Sequence, residues 1–148
     1  MNTTSHLERA ENLLAPWSGS TTTILPNRLN IDLSVDEIVP AVATLVDGRW
    51  GYLVAITGLD PGANTGKLWV LYHFAEGASV VTFRVEIPRD NPGVPTIRHM
   101  ISLAGIYEQE LSEVLGVNID GVEFSGRLFL ADDWPEDIYP LRKDFQPA

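Results

Sequence analysis

From Val81 to Ile87, apolar side chains at Val81, Phe83, Val85 and Ile87 alternate with Thr82, Arg84 and Glu86. A period of two puts one set on the buried face of a strand and the other on a wet face. Leu68–Phe74 alternates in the same way through Trp69, Leu71 and His73, and Tyr52–Ile56 is apolar and β-branched. The links between these segments are short and rich in Gly, Asp, Pro and Asn, which favours hairpins and an antiparallel meander. Upstream, Leu29, Ile31 and Leu33 alternate with Asn30 and Asp32, and Thr22–Leu25 reads as a second short strand across a Pro26-Asn27 turn. Arg127–Leu130 reads as one more short strand.

Helical signals fall between these runs. His6 to Leu14 forms an amphipathic pattern that ends before Pro16. Ser34 and Glu37 have the spacing of a capping box, and the helix they open runs through Val39–Leu45 to Gly48, with a kink expected at Pro40. Asn91–Pro95 reads as a turn, Thr96 caps an apolar stretch, and Ile106–Leu115 reads as a helix closed by Gly116 in a left-handed cap. Beyond Trp134, Pro135, Pro140 and Pro147 block helix. The expected fold is therefore α+β: a mostly antiparallel sheet with helices packed on it in one domain over residues 1–133. Residues 134–148 then form an extended C-terminal tail with few local contacts, ordered by docking on a partner subunit.

Composition narrows what such a domain does. The 148 residues suit a single domain, one that buries roughly 68–70% of its unfolded surface. Without cysteine the chain has no disulfide, no thiolate nucleophile and no thiolate ligand for zinc or an iron–sulfur cluster. No apolar run reaches about 18 residues, so no membrane-spanning helix is expected. MNTTSHLERAENLL lacks a basic run followed by an apolar one, so no signal peptide is expected and the cytoplasm is the default location. The net charge of −10 disfavours nucleic acid and anionic lipid. Between Glu108 and Asp137 nine acids face one base, Arg127. Such a stretch is either a solvated acidic face or a contact surface for a basic partner.

Candidate chemistry is thin. Gly62 to Lys67 has the composition of a phosphate-binding loop, but its spacing is one residue short, Leu68 stands where Ser or Thr would bind magnesium, and it lies between strands; a hairpin turn is the better reading. His6, His73 and His99 have no second histidine at helical spacing, and His73 reads as a hydrogen-bonded sheet residue. No nucleophile elbow is present. Glu108, Glu110 and Glu113 form a carboxylate group open to three readings: a solvated helix face, pairing with Arg or Lys, or general acid–base work. Arg142-Lys143-Asp144, a basic pair on the tail, is either a solvated terminus or an anchor for a partner carboxylate.

Three passages resemble the 30 kDa subunit family of complex I, the NADH–quinone oxidoreductase. They are Trp69-Val-Leu-Tyr-His-Phe74 with Val81–Ile87, then Tyr107–Val117 with Glu108, Glu110, Glu113, Val114, Leu115 and Gly116 on the family pattern, and Arg127–Trp134 with Tyr139-Pro-Leu-Arg-Lys-Asp-Phe145. The resemblance covers about residues 50–145. The chain departs from it at Gln109, where the family usually has Arg, and at Val122, near where His or Lys is expected and where the spacing to Arg127 is off by one. The wording Asp-Asp-Trp-Pro…Tyr-Pro-Leu-Arg-Lys-Asp is similar to the related domain of membrane-bound nickel–iron hydrogenases and formate hydrogenlyase, so the resemblance leans to that branch.

This resemblance implies a structural subunit with no active site, metal or cofactor of its own. It implies docking beside the large catalytic subunit of a membrane-bound hydrogenase, on the cytoplasmic face of the membrane. The 30 kDa subunit of complex I itself is the alternative. Iron–sulfur clusters, and nickel–iron or flavin centres, would belong to partner subunits, which include small iron–sulfur and membrane subunits. The interface expected from it comprises Glu108, Glu110, Glu113, Arg127, Trp134, Tyr139, Arg142, Lys143 and Phe145. A remoter alternative is a free-standing small-molecule enzyme using Glu108 and Glu110.

Overall fold

The computed structural model describes the backbone of residues 3–22 and 26–147, and side chains over residues 5–17 and 26–147. Three helices, α1 (Thr3–Leu13), α2 (Ile38–Asp47) and α3 (Ala104–Leu115), accompany seven strands: β1 (Thr21–Thr22), β2 (Arg28–Leu33), β3 (Tyr52–Leu59), β4 (Lys67–Glu76), β5 (Ser79–Pro88), β6 (Gly93–Pro95) and β7 (Asn118–Asp120). Of the expected Thr22–Leu25 strand, Thr22 lies in β1 and residues 23–25 lie outside the described residues.

The alternation works as expected in the five-stranded sheet, whose order is β1-β2-β5-β4-β3. Leu68, Val70, Tyr72 and Phe74 of β4 are buried together with Val81, Phe83, Val85 and Ile87 of β5. Their neighbours across the sheet, Leu29, Ile31 and Leu33 on one side and Leu53 and Ile56 on the other, are buried with them. The helices supply the rest of this core through Leu7, Ala10 and Leu14, then Ile38, Ala41, Val42 and Leu45, then Ala104, Leu111 and Leu115. Within it the Phe74 and Phe83 rings meet at 5.7 Å, tilted by 58°. The polar set occupies the other face, where Arg84 forks onto Asp32 at 2.6 and 3.0 Å and lies over Trp69. His73 there sits between the hydroxyls of Thr57 and Thr82, each 3.0 Å away, as a hydrogen-bonded sheet residue.

Some local expectations change. β3, β4 and β5 form the antiparallel meander, but β2 runs parallel to β5, Arg28 opposite Val80 through Leu33 opposite Val85. The chain leaves β2, crosses through α2 to the far edge and returns by two hairpins. Alternation reports faces and carries no information on direction. Asn91–Pro95, expected as a turn, contains β6, which pairs in parallel with β7 after the α3 crossover. Pro40 needs no kink: the Ser34 cap first closes a 3₁₀ turn over Val35–Glu37, leaving Pro40 in the first turn of α2, where its missing N–H has no intrahelical acceptor. Glu37 does turn back as the capping pattern requires, accepting the Ser34 N–H at 2.9 Å.

Gly58 sets how closely α3 approaches the sheet. A methyl group there would stand 2.4 Å from Leu115 Cδ2 and 2.7 Å from Leu111 Cδ1. Gly58→Ala therefore pushes α3 off β3 and is expected to cost about 1–3 kcal/mol. Thermal unfolding should show a Tm lower by several degrees; an unchanged Tm would mean that α3 does not seat on β3 this closely.

Candidate functional site

Residues 121–147 contain no helix or strand. Backbone N–H and C=O groups without secondary structure must find other partners, and here side chains of the domain provide them. Glu113, on α3, accepts the N–H groups of Leu128, Phe129 and Leu130 at 2.8, 3.0 and 2.9 Å. Arg127–Leu130 is consequently not the strand its alternation suggests: one carboxylate takes three consecutive donors that a sheet would need. Arg127 turns inward and donates to the carbonyls of Ala131, at 2.9 Å, and Trp134. Gln109 donates to the Gly126 carbonyl at 2.8 Å, so the residue that departs from the family pattern holds this same segment.

The terminal stretch is tied equally firmly. Tyr139 lies against Gly116, whose φ of 79° forms the left-handed cap of α3 and whose missing Cβ would stand 2.5 Å from the ring. The Trp134 and Phe145 rings pack at 6.0 Å, and the Trp134 indole donates to the Ile138 carbonyl at 2.8 Å. The Leu141 N–H donates to the Val114 carbonyl at 3.0 Å. Arg142 donates to the Leu115 carbonyl at 2.8 Å and lies 4.9 Å from the centre of the Tyr139 ring. The tail expected to have few local contacts thus folds back on its own domain.

Its innermost tether is a buried ion pair. Asp60 and Arg89 are only 4% and 7% exposed. Two guanidinium nitrogens grip the two carboxylate oxygens, one of them at 2.9 Å. Asp60 also accepts the Gly62 N–H at 2.8 Å and, from the tail, the Lys143 N–H at 2.6 Å, while Arg89 reaches the Asp144 carboxylate at 3.0 Å. The hydrogen bonds from Arg89, against the opposing effect of burial and with help from both backbone N–H groups, hold the Asp60 carboxyl far below the usual carboxylate range. Nothing in the sequence marks this pair. Asp60 sits in a Pro-Gly turn and Arg89 just past the end of β5, 29 residues apart and outside any periodic pattern.

The three glutamates part company. Glu108 is fully buried, contrary to the solvated-face reading, and accepts from the Thr96 hydroxyl at 2.7 Å and the Ile97 N–H at 2.8 Å. Burial raises its pKa, with the two hydrogen bonds opposing. Its position explains Thr96: the hydroxyl joins the approach to α3 to the helix itself. Glu110 is exposed, so the two carboxylates proposed for acid–base work do not face one site. Glu113 is partly buried, which raises its pKa, yet its three N–H donors bring it below the usual value. No cation pairs with it among the ion pairs of the described residues. Of the other expected interface residues, Arg127 and Arg142 are committed internally, Trp134, Tyr139 and Phe145 are half-buried in the segment's own packing, and the Lys143 side chain is exposed.

The buried pair yields two predictions. Arg89→Met strands the Asp60 carboxylate, which should cost about 3–5 kcal/mol and speed amide exchange at Leu141–Phe145; slow exchange there with near-normal stability would mean that the tail is held by other contacts. For pH, a carboxyl whose folded-state pKa is depressed gives stability that is full above its unfolded value of about 4 and is lost as pH falls below it. Asp60→Asn should accordingly lower the urea midpoint at neutral pH and flatten its decline in acid. A variant with the wild-type acid slope would remove Asp60 as the titrating tether.

With this geometry in place, comparison with known proteins identifies the family. Residues 31–148 match the family described as "Respiratory-chain NADH dehydrogenase, 30 Kd subunit". Formate hydrogenlyase subunit 5 of Escherichia coli is 30% identical over 121 residues, a match spanning 80% of this chain and 21% of that protein. Membrane-bound hydrogenase subunit beta of Pyrococcus furiosus is 42% identical over 87 residues, 57% of this chain and 50% of that protein. The matches thus span half or less of these relatives. A chain in the structure of the membrane-bound sulfane sulfur reductase, an archaeal respiratory membrane complex, superposes with a TM-score of 0.80 over 96% of this chain and 86% of that one, at 22% identity, and so shares the fold. The α+β domain with its folded-back C-terminal segment belongs to the respiratory-chain NADH dehydrogenase 30 Kd subunit family.

Proposed function

We propose that this chain is a non-catalytic structural subunit of a membrane-bound redox complex, docked beside the large catalytic subunit of a hydrogenase related to complex I. One observation carries the reading: 80% of the chain matches only 21% of formate hydrogenlyase subunit 5, so in that relative an equivalent domain is covalently part of a polypeptide several times larger. A domain of this family is thus found joined to a much larger polypeptide, which is the kind of neighbour we assign to it here. The 42% identity with a membrane-bound hydrogenase subunit favours the hydrogenase branch, and the family's description keeps the complex I 30 kDa subunit as the alternative.

Other features fit this role. No helix among the described residues is long and apolar enough to cross a membrane, which suits attachment through partners, on the inner face of the cell membrane. The chain has no cysteine to ligate an iron–sulfur cluster, so in this reading the clusters, and the nickel–iron or flavin centre, belong to neighbouring subunits. The rival enzyme built on Glu108 and Glu110 loses its geometric basis, because Glu108 is buried with both oxygens engaged and Glu110 is exposed.

Tagging the chain in its native host, solubilising the membranes gently and identifying what co-purifies tests the proposal. Stoichiometric recovery with a nickel-containing large subunit, small iron–sulfur subunits and membrane subunits is the expected result. A flavin- and quinone-linked set would move the assignment to complex I. Recovery of the chain alone would overturn the role.

A further inference from the structure

We infer that the C-terminal segment presents an apolar, acid-ringed docking surface for a Lys- and Arg-bearing face of the larger partner subunit. The inference rests on the structural-subunit reading above and adds where the partner binds and what chemistry it offers. Fixing an irregular chain costs roughly 1–2 kcal/mol per residue in backbone entropy. Here buried or half-buried side chains, Asp60, Arg89, Glu113 and Arg127, are committed to holding one. The segment so held leaves large apolar groups in water: Leu128, Phe129, Ile138 and Leu141 are 58%, 42%, 41% and 63% exposed. A rigid loop that displays aliphatic and aromatic side chains is the pre-organised form of an interface anchor.

One groove of about 270 Å³ is lined by Glu113 of α3, by Arg127 and Leu130, and by Trp134 through Tyr139, so that of the four exposed apolar groups Ile138 belongs to it. Glu136 and Asp137 are among its lining residues and are exposed. Charge selects the occupant. The segment's arginines point inward, Arg127 to loop carbonyls and Arg142 to the Leu115 carbonyl and the Tyr139 ring. Asp144 faces Arg89. Asp132, Asp133, Glu136 and Asp137 remain exposed, with Lys143 as the exposed cation of residues 121–147. An acidic rim around apolar anchors complements a basic face, and the groove has room for a long cationic side chain of the partner. The anchor expected from the sequence, Arg142 on a partner carboxylate, has the opposite polarity and is engaged internally.

Affinity purification of the tagged chain from gently solubilised membranes of its native host tests the surface. Two variants leave every tether intact: Asp132→Lys/Asp133→Lys/Glu136→Lys, and Leu128→Ser/Leu141→Ser, which changes no charge. Glu8→Lys/Glu11→Lys/Asp47→Lys, exposed on α1 and α2, makes the same change in net charge as the triple variant and controls for it. Each purified variant is checked for an unchanged Tm, and the double serine variant carries the test should the triple variant unfold. The expected result is at least about a tenfold loss of partner subunits with both segment variants at 0.15 M salt, and wild-type recovery with the control. Partner recovery equal to wild type in the segment variants would overturn the surface and leave the structural role standing. A wild-type chain that captures no partner would overturn the structural role and this inference with it.

Discussion

Asp60 and Arg89 face each other below the C-terminal segment, and its last turn, at Lys143 and Asp144, depends on them. Taking a carboxylate and a guanidinium out of water costs several kcal/mol each, and their attraction repays this only where further hydrogen bonds complete both groups. The Gly62 N–H supplies one from the adjoining turn. The Lys143 N–H and the Asp144 carboxylate supply the others from the segment itself. The pair is therefore completed only when the segment is in place, and the segment's last turn is fixed only when the pair is formed. Ordering of the terminus and burial of the charges are one cooperative event, anchored at the ends of β3 and β5, the strands on which the sheet's register is already set.

What the sequence revealed follows from the kind of signal each element carries. β4 and β5 were legible because an apolar residue at every second position can be satisfied only by a sheet with one buried face, and β3 because Tyr52–Ile56 is an unbroken apolar, β-branched run. The helix before Gly116 was legible because the apolar spacing and a left-handed cap agree. Strand direction was not legible: the Leu29-Ile31-Leu33 pattern is the same whether β2 runs with or against β5. Arg127–Leu130 misled for a physical reason. Its apolar residues alternate as a strand's do, but their N–H groups are claimed by Glu113, a residue 15 to 17 positions earlier, so a tertiary contact overrode a local pattern. Trp134, Tyr139, Arg142 and Phe145, expected at a partner interface, pack within the segment itself. Its foundation escaped notice, because a buried pair between two turns leaves no mark on either.

The distribution of charge gives the acidic composition a structural meaning. A net charge of −10 on 148 residues is self-repelling, and packing worsens the imbalance at this end of the molecule by turning bases inward. Arg89, Arg127 and Arg142 each serve as a brace, because a planar guanidinium satisfies several carbonyl or carboxylate oxygens at once. Arg89 is neutralised by Asp60 and Asp144, but Arg127 and Arg142 donate to carbonyls, and Asp132, Asp133, Glu136 and Asp137 are left facing water. The outermost charges of the segment are thus mostly negative, and a partner that covers them with cations would relieve repulsion while burying the apolar anchors.

Glu108 bears most directly on the choice between the structural role proposed above and an enzyme. A buried carboxyl with a raised pKa is what a general acid requires, and by that measure alone Glu108 is a candidate. Glu108 is, however, fully buried and accepts from the Thr96 hydroxyl and the Ile97 N–H, so it bolts α3 to the strand before it and is closed to a substrate arriving from solvent. The same holds at Asp60, whose far lower pKa reflects completed hydrogen bonding. In both places an acid that looks chemically poised is satisfied by its own fold. Apolar residues of similar size would hold these elements as strongly, yet with no preference for one register. Pairing each carboxylate with particular N–H groups fixes α3 against β6 and Lys143 against the β3 turn to a single position. In the docking role proposed above, a domain that presents an irregular surface in one shape would need that specificity more than additional stability.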